Sequence, residues 1–164
     1  MQTSHFNITI GGVKHVVAAI NMLSAVKKVQ AGRTHRIQII DRSYSMAYSL
    51  GAVVDQSKQS IGIMDKGDLV STFWFSSPGE HGSVVVGASP GTDAQTMIEG
   101  MRRPIGSTCF SEVMSDVAEV VQRFSAVVDQ TVIDLFTDGM PCVPWGTQEE
   151  QRRVFSAVDR ILSA

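Results

Sequence analysis

The chain has 164 residues, of which 43% are hydrophobic and 18% charged, with a formal net charge of −2. That is the composition of one globular domain with a sizeable core, and it lacks the basic stripe that a nucleic-acid binder needs to neutralise phosphates. The longest mostly apolar stretch, 13–26, is broken by Lys14, His15 and Asn21, so it is too short and too polar to span a bilayer.

Taken in order, Phe6, Ile8 and Ile10 alternate with polar residues and predict a strand, closed by Gly11-Gly12. Val13, Val16, Val17, Ile20, Leu23 and Val26 fit a helical stripe, and a helix is expected over 13–30. Lys27 and Lys28 would lie in its last turn and Gly32 at its end, although the valine density at the front also suits a strand. A polar AGRTHR linker follows. Ile37, Ile39 and Ile40 predict a strand buried on both faces, ending at Asp41-Arg42-Ser43-Tyr44-Ser45. A helix is expected from Met46, since Leu50, Val53, Val54, Ser57, Ile61 and Met64 recur at helical spacing.

Residues 69–76, LVSTFWFS, and 83–88, SVVVGA, predict two strands joined as a hairpin by the turn-forming run 77–82. Helices are expected over 93–102 and from Ser111 to Val128, with Pro104-Ile105-Gly106-Ser107-Thr108 as the loop between them. Residues 131–136, TVIDLF, form the next strand, stopping at Thr137-Asp138-Gly139. A final helix runs from Gln148 to Leu162, with Glu149 and Glu150 in its first turn. Strands alternating with helices predict a three-layer α/β sheet. No repeat or linker divides the chain, so one domain is expected over 1–164, with 1–35 as an N-terminal extension and 36–164 as the core.

In such a sheet ligands bind at the carboxyl ends of the parallel strands. Asp41, Ser43 and Ser45 follow one strand, Thr108 precedes a helix in a Gly-Ser-Thr loop, and Asp138 follows another strand. Two carboxylates and three hydroxyls make an all-oxygen set, suited to a hard cation, above all Mg2+, rather than zinc. On the residues alone, a second reading stays open, in which the aspartates cap helices and the hydroxyls make turns. His5, His15, His35 and His81 are scattered and read as surface or strand-edge residues. Cys109 and Cys142 make no disulfide framework and read as two small half-buried thiols.

Asp41-Arg42-Ser43-Tyr44-Ser45-Met46, Thr108 after Gly-Ser, and Asp138 in Thr-Asp-Gly together resemble the metal-ion-dependent adhesion site of the von Willebrand factor A domain family. The resemblance covers residues 36–163. It implies a Rossmann-like, mostly parallel sheet with one antiparallel edge strand and helices on both faces. It implies Mg2+, or Mn2+ or Ca2+, on Ser43, Ser45 and Thr108, with Asp41 and Asp138 bound directly or through water. It also implies a protein partner whose Asp or Glu fills the open coordination position. Tyr44, where many members carry glycine, and Trp145 would form the rim.

One departure concerns the sheet. The family continues with two more strand-helix units after the Thr-Asp-Gly strand, and here one helix follows. The usual C-terminal strands are therefore missing or replaced by the N-terminal strand, and the open edge invites self-association. The expected function is a metal-dependent protein-interaction module. A Mg2+-dependent hydrolase or phosphoryl-transfer enzyme and a structural oligomerisation domain are the alternatives. No P-loop or Gly-x-Ser-x-Gly elbow supports an enzyme. The N-terminus shows no basic region followed by an apolar one, and a reducing, cytoplasmic setting is expected.

Overall fold

The computed structural model describes residues 3–10, 13–20, 32–138 and 148–164. It divides into two compact units, Met1–Ala31 and Gly32–Ala164.

In the first unit, β1 (Thr3–Ile10) pairs antiparallel with β2 (Val13–Ile20), from Thr3 opposite Ile20 to Ile10 opposite Val13. The helix expected over 13–30 is thus overturned over its first eight residues; the remainder, 21–30, lies outside the described residues. Val13, Val16, Val17 and Ile20 are stiff β-branched side chains that favour an extended backbone. Only two residues separate Ile10 from Val13, the spacing that closes a hairpin. β1 and β2 form a sheet of their own, so β1 is not one of the strands of the larger sheet.

The second unit holds β3 (Thr34–Asp41), α1 (Leu50–Gly62), β4 (Leu69–Phe75), β5 (His81–Ala88), α2 (Thr92–Glu99), α3 (Ser111–Phe124), β6 (Gln130–Phe136) and α4 (Gln148–Leu162). Short 3-10 turns at Tyr44–Tyr48 and Gly100–Arg102 replace the first turn expected before α1 and the last expected in α2. The sheet order is β5-β4-β3-β6. β3 runs parallel to β4 and β6, and β5 is antiparallel at the edge.

Side chains alternate across β3 and feed two cores. Ile40 joins Leu50, Val54, Ile61, Val70 and Ile98 under α1 and α2. Ile37 and Ile39 join Phe73, Phe75, Val113, Val117 and Val121 under α3, where Ile161 of α4 also packs. Each such side chain contributes about 1.5–3 kcal/mol on burial, so β3, apolar on both faces, anchors all three layers. Gln38 sits in this core with its needs met: its amide donates to Ser57 O at 3.1 Å, and its oxygen accepts from the Ser57 and Thr72 hydroxyls.

His35 corrects a second expectation. It is a fully buried member of β3 rather than a surface residue. β3 starts three residues earlier than the isoleucine run suggests, because Thr34, His35 and Arg36 pair with Gln130, Thr131 and Val132 of β6. No helix among the described residues is long and apolar enough to cross a membrane.

Candidate metal centre

The site lies where β3 and β6 end side by side, with Ile40 opposite Phe136. The chain leaves β3 towards α1 on one face of the sheet, and α4, after β6, packs on α3 on the other. Divergent exits of this kind open a crevice at adjacent strand ends.

Asp41 is fully buried at the tip of β3. Its Oδ1 accepts from the Ser43 amide at 2.8 Å and its Oδ2 from the Thr137 hydroxyl at 2.8 Å. The first bond folds the chain back directly after the strand, so Ser43 and Ser45 follow in a tight turn. Their hydroxyls lie 2.9 Å apart, with Ser43 buried and Ser45 exposed. Asp41, Ser43 and Ser45 are therefore brought together as one hydrogen-bonded group.

Thr108 arrives on the loop before α3. That loop is stitched to the β3 exit: the Tyr44 amide donates to Gly106 O at 3.1 Å and the Ile105 amide to Arg42 O. On its other side the Cys109 amide donates to Ser76 O at 2.7 Å. Thr108 is buried, and among the described residues no group hydrogen-bonds its Oγ1. Asp138 follows Thr137, which places it at the same strand ends, and it is exposed. Tyr44 stands 68% exposed beside the serines, whereas Trp145 and Cys142 lie outside the described residues. Cys109 is buried.

Arg42, beside Ser43, lies 4.9 Å over the Trp74 ring, and its guanidinium donates to Arg103 O at 2.8 Å. Burial lowers its pKa. Among the described residues no group of three or more His, Cys, Asp and Glu side chains could hold a metal, so a cation here depends on hydroxyl oxygens. Ser76 and Ser77 are parts of this neighbourhood that motif spacing does not single out, while Gly106 and Thr137 enter the motifs only as neighbours of Thr108 and Asp138. The signal for them is the turn-forming run 77–82, with Ser77 inside it and Ser76 directly before it.

No protein-family model and no curated protein matches the chain. Solved structures do. A von Willebrand factor type A structure from Catenulispora acidiphila matches with a TM-score of 0.64 at 15% identity, over 77% of this chain and 31% of its own. The fold is that of a von Willebrand factor A domain. Two structures of the type V pili tip protein Mfa5 from Porphyromonas gingivalis also match at 15% identity over 67% of this chain. The three-domain structure gives a TM-score of 0.57 and the vWF domain alone 0.53, over 20% and 39% of their own lengths. The chain thus spans well under half of each relative. Among the described residues its vWA-like sheet has four strands, fewer than the usual fold.

Proposed function

We propose that this domain binds a protein partner through a divalent cation, with a partner Asp or Glu carboxylate completing the coordination. The observation that carries this is the Thr108 hydroxyl, buried without a hydrogen-bond partner among the described residues. Leaving a buried hydroxyl unpaired costs about 1–3 kcal/mol, and such a group in a fold calls for a partner from outside the chain. Buried Asp41 and the paired Ser43 and Ser45 hydroxyls lie across the same loop junction. The donor set fits Mg2+, and also Mn2+ or Ca2+, which take oxygen ligands and retain waters.

Ser43, Ser45 and Thr108 would hold the cation directly, and Asp41 and Asp138 directly or through water. Neutral hydroxyl ligands leave most of the cation's charge uncompensated, so the bound ion would supply an electropositive point for a carboxylate. Exposed Tyr44 would shape what docks beside it, and Trp145 is proposed for the same rim. That two similar structures belong to a pilus tip protein supports a role in protein contact.

An enzyme reading finds less support. His35 is hydrogen-bonded to Ser71, and His81 is held between Glu112 and Asp116, so neither stands as a base for Ser43 or Ser45. Pairing of β6 with a second copy stays a proposal alongside: among the described residues its outer edge has no strand partner. Sedimentation that changes with concentration supports that pairing, and a constant monomer removes it.

The deciding experiment is affinity capture with Mg2+ and with EDTA, beside thermal melts in the same buffers. Partners retained only with Mg2+, together with a Mg2+-dependent rise in Tm, support the proposal. Identical melts with and without Mg2+ overturn it.

A further inference from the structure

We propose that the turn between β4 and β5 is a positioning element of the metal site, with Ser77 and Gly106 fixing Thr108 in place. This rests on the metal reading of Thr108. The amides on either side of Thr108 are held by two consecutive residues of that turn. Ser77 Oγ accepts from the Ser107 amide at 3.0 Å, and Ser76 O accepts from the Cys109 amide at 2.7 Å. Two anchors bracketing one residue leave its backbone little freedom, so the hydroxyl is presented in one place. The Ser76 hydroxyl adds a bond to Ile105 O, at the start of the same loop.

Gly106 is what allows this approach. Its φ is +62°, in the left-handed region that side chains rarely adopt. A Cβ there would also collide with the Ser76 and Ser77 hydroxyls and crowd the Glu80 carboxylate. The loop can therefore reach the turn only with glycine at this position.

The turn is itself tied down. The Gly79 amide donates to Glu112 Oε2 at 2.7 Å, and His81 lies 3.3 Å from both Glu112 and Asp116. Glu112 and Asp116 belong to α3, the helix into which the Thr108 loop runs. Loop, turn and helix thus form a closed circuit around Thr108. Hydrogen bonds of this kind behind a ligand set its orientation and, when lost, weaken metal binding by about 10–100-fold.

The test is Mn2+ titration followed by the electron paramagnetic resonance signal of the free ion, beside melts of the metal-free protein. Ser77→Ala is expected to weaken Mn2+ binding about tenfold, and Ser77→Thr, which keeps the oxygen, to stay within about threefold of the original chain. Gly106→Ala should act in the same direction as Ser77→Ala. Arg36→Ala, which breaks the remote ion pair to Asp134, should lower stability and leave Mn2+ affinity unchanged. If the original chain binds Mn2+ and Ser77→Ala binds it equally well, the positioning role is overturned while the metal site stands. If affinity falls in Arg36→Ala as much as in Ser77→Ala, the effect is general destabilisation and the positioning role is again overturned. If the original chain binds no Mn2+, the metal reading falls and this inference with it.

Discussion

The Thr137 hydroxyl donates to Asp41 Oδ2 at 2.8 Å and so ties the end of β6 to the end of β3. With the Ser43 amide on Oδ1, both oxygens of the Asp41 carboxylate are engaged before any cation arrives. Each oxygen keeps a further lone pair, so the carboxylate can still accept from a metal-bound water.

Asp41→Ala should therefore act twice. It leaves the Ser43 amide and the Thr137 hydroxyl without their acceptor, which is expected to lower stability by about 2–4 kcal/mol at roughly 1–2 kcal/mol for each donor. It should also abolish the Mg2+-dependent rise in Tm, which follows from binding to the folded state alone. Urea denaturation with and without Mg2+ separates the two effects. A full Mg2+ shift surviving in the variant would remove Asp41 from the site.

Much of this arrangement is legible in the amino-acid sequence. The isoleucines of β3 and the sharp break after Ile40 locate both the central strand and its Asp-Arg-Ser-Tyr-Ser exit, because burial on two faces leaves a plain local signature. The bounds of α4 are legible from its own helical pattern and the acidic residues of its first turn. Val13–Ile20 is not, since valine at 13, 16 and 17 satisfies a helical stripe as well as a strand, and pairing with β1 decides between them. His35 reads as a linker residue because its burial comes from β4 and β6, which lie far away in sequence. The Ser77–Ser107 bond is hidden for a similar reason: both ends sit in polar turn-forming runs, and nothing local says that two turns meet.

Phe124 and Gly87 offer a second measurable pair. Gly87 has φ +58°, and a Cβ there would strike the Phe124 ring. Gly87→Ala is expected to cost about 2–4 kcal/mol, combining a left-handed backbone penalty with overpacking. Phe124→Ala in the same chain should relieve the steric part, so the double variant should lose less than the sum of the two single losses. Strict additivity in denaturation experiments would show that the ring and the glycine do not meet.

His35 makes stability depend on pH. Burial lowers its pKa to about 4 from the ordinary 6.5. Its Nε2 is paired with Ser71 Oγ at 2.8 Å, and no group among the described residues pairs with Nδ1, so the charged ring has no acceptor for its second proton. The folded value lies below the unfolded one, so the stability contribution is complete above pH 6.5 and is lost as pH falls towards 4. Between pH 7.5 and 5 the loss should be about 2 kcal/mol. His35→Phe should flatten that part of the profile in urea titrations at the two pH values. A profile as steep as that of the original chain would mean that other groups carry the dependence.

Tyr44→Ala is expected to separate metal binding from partner binding. It is 68% exposed, and its amide bond to Gly106 O does not involve the ring. Tyr44→Ala should therefore leave stability within about 0.5 kcal/mol, as expected of a surface truncation. The Mg2+-dependent rise in Tm should also persist, because Ser43, Ser45 and Thr108 are untouched. Capture of the partner in Mg2+ should fall, since an exposed aromatic beside the carboxylate position would lose its buried contact area, a loss of about 1–2 kcal/mol or roughly five- to thirtyfold in affinity. Unchanged capture would confine recognition to the cation and its ligands, whereas loss of the Mg2+ shift would place the ring in the metal site itself.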